Sequence, residues 1–268
     1  MEDLSKYNPE GSTLRKAQLR MLDILIEVDK ICRKHNISYW IDSGTLLGAV
    51  RHKGFIPWDD DLDICVLRSD YLHIKKILQQ ELPPEYVFVD AETDKNYFDA
   101  CGRVKSVNSI IEIPEYRFQK EQGIYVDIYP MEQLFSQKHK YVGEKLFGKI
   151  FRHKHNLGKA VIESNFRRKV SKTVAICLYP LVLGIITILR LWGKYRPNVI
   201  THGFGICTNT YHAYDSSWIF PLTEIEFEGR QVCAPNNYDA YLRSAYGDYM
   251  QIPPKEKRIT HSHNWKIW

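Results

Sequence analysis

Four aspartates crowd into five consecutive positions in the run Trp58-Asp59-Asp60-Asp61-Leu62-Asp63-Ile64. Carboxylates this close repel one another, and the arrangement is costly without a compensating cation. If the run enters a strand, side-chain alternation puts Asp61 and Asp63 on one face while Leu62 and Ile64 enter the core. Two carboxylates projecting together suit Mg²⁺ or Mn²⁺, which take hard oxygen ligands and keep positions for water and phosphate oxygens. Asp59 precedes the strand and is a further ligand or a neighbour of one. The bland reading is an acidic turn. A calcium loop of the EF-hand kind is excluded, because its ligand spacing is missing and an apolar strand follows.

Two more features bear on the same chemistry. Gly44-Thr45 falls between a short strand, Ile37–Ile41, and a short helix, Leu46–Arg51. A glycine there lets a phosphate approach the backbone, and helix N-terminal amides attract the anion. Asp127 sits inside Ile124-Tyr125-Val126-Asp127-Ile128-Tyr129-Pro130. An aspartate in an apolar strand is expensive unless it is paired or bound to metal; on an edge strand it can instead face water. Arg51, His52 and Lys53 lie between the glycine and the acidic run, where they can contact phosphate or balance the aspartates. Arg103 and Lys105 alternate on a predicted strand and are weaker candidates for the same pocket.

The elements that must position these residues are legible in outline. Apolar spacing predicts a helix over 13–34, capped by Ser12 or Thr13. Short strands are expected at 61–67, 86–90, 100–106, 109–113 and 124–129, with a helix over 70–82 capped by Ser69. From Gln133 to about Tyr195 the pattern is helical. A hairpin, Glu224–Phe227 and Arg230–Cys233 joined at Glu228-Gly229, precedes a helix near Tyr238–Tyr246. The expected class is α/β (α+β): a short mixed sheet flanked by helices, with a helical insertion. The expected division is a catalytic core over 1–132, a basic and apolar insertion over 133–200, and a C-terminal hairpin and helix over 201–268 that complete the active-site domain.

The chain of 268 residues has a formal charge of +5, but residues 138–172 hold eleven Lys and Arg against Glu144 and Glu163. Such a block serves a phosphorylated substrate or an anionic bilayer, or is simply a solvated helix face. No nucleic-acid-binding motif accompanies it, so nucleic acid is not an expected partner. Val174–Leu189 is nearly all apolar, with basic residues on both sides. It falls short of the ~20 residues of a spanning helix. It reads as a peripheral membrane-interface element or as a buried helix. The six cysteines show no C-x-x-C pair and read as free thiols in a reducing compartment. The polar N-terminus has no signal-peptide pattern. The cytoplasm, or the cytoplasmic face of a membrane, is the expected location.

The run YWIDSGTLLGAVRHKGFIPWDDDLDI resembles the signature of the LicD family of phosphotransferases, relatives of fukutin and fukutin-related protein within the nucleotidyltransferase superfamily. YVDIYP resembles that family's next motif, and FEGRQVCAPNNYDAYLRSAYGDYMQIPP its C-terminal one. Thr45 stands where the wider superfamily often has Ser or Gly. The resemblance implies transfer of a phospho-alcohol, typically phosphocholine from CDP-choline, to a sugar of a cell-surface glycan or its lipid-linked precursor, with release of CMP. It implies a metal held by Asp61 and Asp63, donor phosphate at Gly44-Thr45, and a proton-accepting or metal-binding role for Asp127. A choline donor would want an aromatic cage, which composition permits without locating. The competing readings are transfer of the nucleotide itself with release of pyrophosphate, and a non-catalytic module that keeps the metal for stability.

Overall fold

A computed structural model describes residues 3–97, 99–148, 150, 154, 166–195, 198–204, 213–260 and 265–268. Helix α1 (Thr13–Lys34) begins where the sequence predicts. The Ser12 side chain accepts a hydrogen bond from the Arg15 amide, satisfying one first-turn donor. There follow β1 (Tyr39–Ile41), α2 (Ser43–His52), β2 (Asp63–Leu67), α3 (Arg68–Glu81), β3 (Tyr86–Val89), β4 (Gly102–Ser106), β5 (Ser109–Ile111) and β6 (Tyr125–Leu134).

Among the boundaries that differ from expectation, three bear on the site. Helix α2 starts at Ser43, because Asp42 is already extended as its N-cap and the Leu46 amide bonds the Asp42 carbonyl. Gly44 and Thr45 therefore lie in the helix's first turn, not ahead of it. Strand β2 starts at Asp63, so Asp61 belongs to the segment leading in, although the Asp127 amide still bonds the Leu62 carbonyl. Helix α3 starts at Arg68, which places Ser69 inside the first turn; no side chain caps this helix.

The main sheet runs β1-β2-β6-β4-β3, with β7 (Val199–His202) paired to β6 and β8 (Tyr214–Asp215) paired to β7. The β2–β6 pair is parallel and the others are antiparallel, giving the expected mixed α/β architecture. Register puts Asp63 opposite Asp127 and Asp127 opposite Arg103. One row across three strands thus carries two acids and a base. Strand β6 runs to Leu134, past the boundary expected at 132.

Beyond β6 lie α4 (Gln137–Gly143), a π-helical turn at Glu144–Gly148, and α5 (Phe166–Tyr195). Part of the expected insertion, and Cys207, fall outside the described residues. The C-terminal part holds α6 (Ser216–Ile219), the hairpin β9 (Thr223–Phe227) and β10 (Arg230–Ala234), α7 (Tyr238–Tyr246) and β11 (Trp265–Ile267), which pairs with β5. Glu228 and Gly229 both take positive φ, the backbone of a tight two-residue hairpin turn. One large apolar cluster joins α1, α2, the sheet, the hairpin and α7, with Trp40, Ile64, Ile128, Phe227 and Tyr241 inside it. A smaller one, Leu134, Val182, Ile186 and Phe204, seats α5 on the end of β6. Cys32, Cys65 and Cys101 are buried free thiols, Cys233 is half-buried and Cys177 is exposed.

Candidate active site

Asp63 and Asp127 are neighbours across the parallel strand pair, and both are buried. The Asp59 and Asp61 side chains lie together beside Gly44. Burial, then the Asp61 charge, push the Asp59 carboxyl up to about 8. Burial also raises Asp63 well above its ordinary value, reinforced by the charges of Asp61, Asp127, Asp42 and Asp59. Acids that are buried together and discourage one another's ionisation form a donor set that positive charge would relieve. All the donors are hard oxygens, so the residues present fit Mg²⁺ or Mn²⁺.

The segment carrying these acids is pinned from α2. The Thr45 hydroxyl, 2% exposed at the residue level, accepts a hydrogen bond from the Asp63 amide at 2.9 Å. Thr45, expected to contact donor phosphate, is buried here and orients β2. A Cβ on Gly44 would stand 2.6 Å from Asp59 Oδ2 and 3.8 Å from Asp61 Oδ1. That close approach explains the glycine: it lets the α2 N-terminus, with its aligned amides, abut the carboxylates.

Arg103 donates from Nε to Asp127 Oδ1 at 2.6 Å, and its Nη1 reaches Tyr116 Oη at 2.9 Å and Asp99 Oδ2 at 2.7 Å. Its guanidinium lies 4.0 Å from the centre of the Tyr125 ring, with the Tyr97 and Tyr116 rings also close. Lys105 enters the same tyrosine box but donates to Gln119 Oε1 and the Glu121 carbonyl. Burial, followed by the Arg103 charge, lowers Lys105 to about 7. Of the two basic residues predicted for this strand, only Arg103 reaches the acidic row; Lys105 is turned into the 119–121 loop. The tyrosine box is filled by the protein's own cations.

A second network was not foreseen. Asp42, fully buried, accepts hydrogen bonds at Oδ1 from Tyr241 Oη at 2.5 Å and at Oδ2 from Ser43 Oγ at 3.2 Å, and His202 Nε2 lies 3.0 Å from Oδ2. Burial pushes the Asp42 carboxyl up, but His202, Tyr241 and the Ser43 amide outweigh it and hold the group down at about 2. Asp42, Cys65 and His202 bring ligand atoms within 4.8 Å of one another. Asp42's hydrogen bonds already satisfy it, and Cys65 keeps its proton through burial and the adjacent Asp42. Asp42 could have been noticed in the IDSGT run; His202 and Tyr241 join it only through the fold.

The basic run after α2 binds protein. Arg51 donates to the carbonyls of Tyr249 and Gln251 and to His52 Nε2. Burial and the Arg51 charge lower His52 to about 4, so the imidazole is neutral at pH 7. Lys53 adopts φ 61 at the helix C-terminus, with its side chain exposed and its carbonyl bonded to the Glu228 amide. Arg51 therefore clamps the C-terminal motif, and His52 packs beside it and Trp58.

A mixed sheet with paired strand-borne aspartates beneath a glycine-led helix defines an enzyme class: transferases with the nucleotidyltransferase fold. Residues 36–163 match the LicD/FKTN/FKRP nucleotidyltransferase domain. The chain is 28% identical over 270 residues to the lipopolysaccharide cholinephosphotransferase LicD of Haemophilus influenzae, covering 93% of this chain and 96% of that one. It is 46% identical to an uncharacterized protein of Rickettsia prowazekii over 79 residues, 30% of this chain and 28% of that one. A 34-residue stretch is 47% identical to the human ribitol 5-phosphate transferase FKRP, 13% of this chain and 7% of that one. Residues 36–163 thus carry the nucleotidyltransferase domain of the LicD family.

Proposed function

We propose that this protein transfers a phospho-alcohol from a CDP-alcohol, with CDP-choline favoured, to a hydroxyl of a cell-surface glycan or its lipid-linked precursor, releasing CMP. The observation that carries this reading is the Asp63–Asp127 pair beside the Gly44 helix start, with Asp61 and Asp59 adjoining it. The full-length similarity to a cholinephosphotransferase supports phosphocholine as the moiety transferred. Asp61, Asp63 and Asp127 would hold Mg²⁺ or Mn²⁺, with Asp59 alongside. A bound cation of this kind neutralises a diphosphate and stabilises charge on the departing CMP.

The chain's own residues supply orientation. Donor phosphate is assigned to the amides of α2's first turn, which Gly44 lets sit against Asp59 and Asp61, and Thr45 holds β2 in register with them. The acceptor oxygen forms the new bond to the phosphorus carrying the alcohol as the bond to CMP breaks. Asp127 was expected to take the acceptor proton. Arg103 already holds Asp127 Oδ1, so we assign Asp127 to positioning beside Asp63. Location at the cytoplasmic face fits a donor made from cytidine nucleotides.

Incubation with a panel of CDP-alcohols, Mg²⁺ and glycan acceptors tests the proposal by product. CMP together with a phospho-alcohol on the glycan supports it. Pyrophosphate together with a nucleotidylated acceptor would replace it with nucleotide transfer.

A further inference from the structure

The long helix α5 presents a surface that no other described residue covers. Its span Lys169–Tyr195 has a mean hydropathy of 2.3 over the most apolar window, of which only 17% is buried. The seam that packs on the protein is narrow: Ala175, Val182, Ile186 and Gly193 recur at helical spacing and face inward. Arg190, next along that seam, donates to Glu132 on β6, which also accepts from Arg68. On the outer face Val174, Leu181, Ile185, Ile188 and Trp192 recur at the same spacing and are exposed, Leu181 by 67%. A surface helix of a water-facing protein carries polar residues there.

We propose that this face docks on an anionic lipid bilayer, with α5 lying in the plane of the interface. Two observations choose lipid over a second copy of the chain. Exposed Lys169 and Lys194 stand at the two ends of the apolar face, and residues 138–172 are strongly basic, so a like-charged copy is repelled while anionic headgroups are attracted. Trp192 and Tyr195 cluster at one end, where amphipathic rings suit the headgroup boundary. At ~1.5 Å per residue the span is long enough to cross a ~30 Å hydrocarbon layer. Its seam forbids that, because crossing would carry Arg190, Glu132 and the end of β6 into lipid. The sequence alone suggested a shorter element, Val174–Leu189; the helix adds turns at both ends. Docking also sets the height of the active site. Glu132 and Asp127 share β6, about 17 Å apart along the strand at ~3.3 Å per residue.

Vesicle flotation tests this without reference to the reaction catalysed. The chain should float with phosphatidylcholine vesicles containing phosphatidylglycerol. It should float at least tenfold less with phosphatidylcholine alone or at 1 M salt, where screening is strong. The double variant Leu181→Glu, Ile188→Glu should lose flotation tenfold or more and keep the wild-type thermal midpoint, since both side chains are exposed. Failure of the wild type to float, or flotation of the variant at the wild-type level, overturns the proposal. So does a wild-type dimer that this variant dissolves while vesicle binding persists.

Discussion

At the scale of single residues, the acidic row holds charge that the protein alone does not balance. Burial and the neighbouring carboxylates make ionised Asp63 unfavourable. Asp63→Asn removes that repulsion while keeping the shape. We expect an unchanged or higher thermal midpoint together with a loss of transfer of more than about 100-fold, beyond the 10–100-fold typical of removing a group that only supports a metal ligand. A parallel loss of stability and activity would instead mark a structural acid. Asp42 behaves oppositely. Its folded value of about 2 lies below the ordinary 3.8, so its contribution is present above the ordinary value and is lost as pH falls towards 2. At about 1.4 kcal/mol per pKa unit it contributes about 2 kcal/mol at neutral pH. Urea midpoints of wild type and Asp42→Asn should differ at pH 7 and converge between pH 4 and pH 2.

At the scale of elements, the site depends on how α2 meets β2. The Thr45 hydroxyl is the contact that ties the helix's first turn to the strand bearing Asp63. Thr45→Val keeps the volume but leaves the Asp63 amide without its acceptor, costing about 1–3 kcal/mol. We expect reduced denaturant stability and reduced transfer, with Thr45→Ser restoring most of both. Elements were easier to foresee than their ends. Apolar periodicity gave α1 its full extent, and the Glu228-Gly229 turn gave the hairpin. The start of α2 was set by Asp42 as its N-cap, and β2 is entered through backbone bonds to Asp42 and Asp127 on other strands and segments.

At the scale of the molecule, the last third of the chain closes around the first motif. The Glu228 side chain receives the Phe55 amide at 3.1 Å and both Arg15 guanidinium nitrogens, while its own amide bonds the Lys53 carbonyl. Arg51 holds the carbonyls of Tyr249 and Gln251, and Tyr241 holds Asp42. Glu228→Ala should cost about 1–3 kcal/mol by stranding the Phe55 amide. Hydrogen exchange should then quicken in residues 53–58 more than in β2 or β6.

The sequence by itself determined the acidic run, the glycine beside it, the aspartate on an apolar strand and the alternation that made an α/β fold readable. These are local patterns, set by the period of a strand or helix and by the cost of crowding like charges. Only the tertiary structure decided that Arg103 pairs with Asp127 while Lys105 turns away, that Arg51 grips backbone, and that His202 and Tyr241 gather on Asp42. Hydrogen bonds between residues more than 200 positions apart, such as Arg15 and Glu228 at 213, are set by strand register and packing, which no local period encodes.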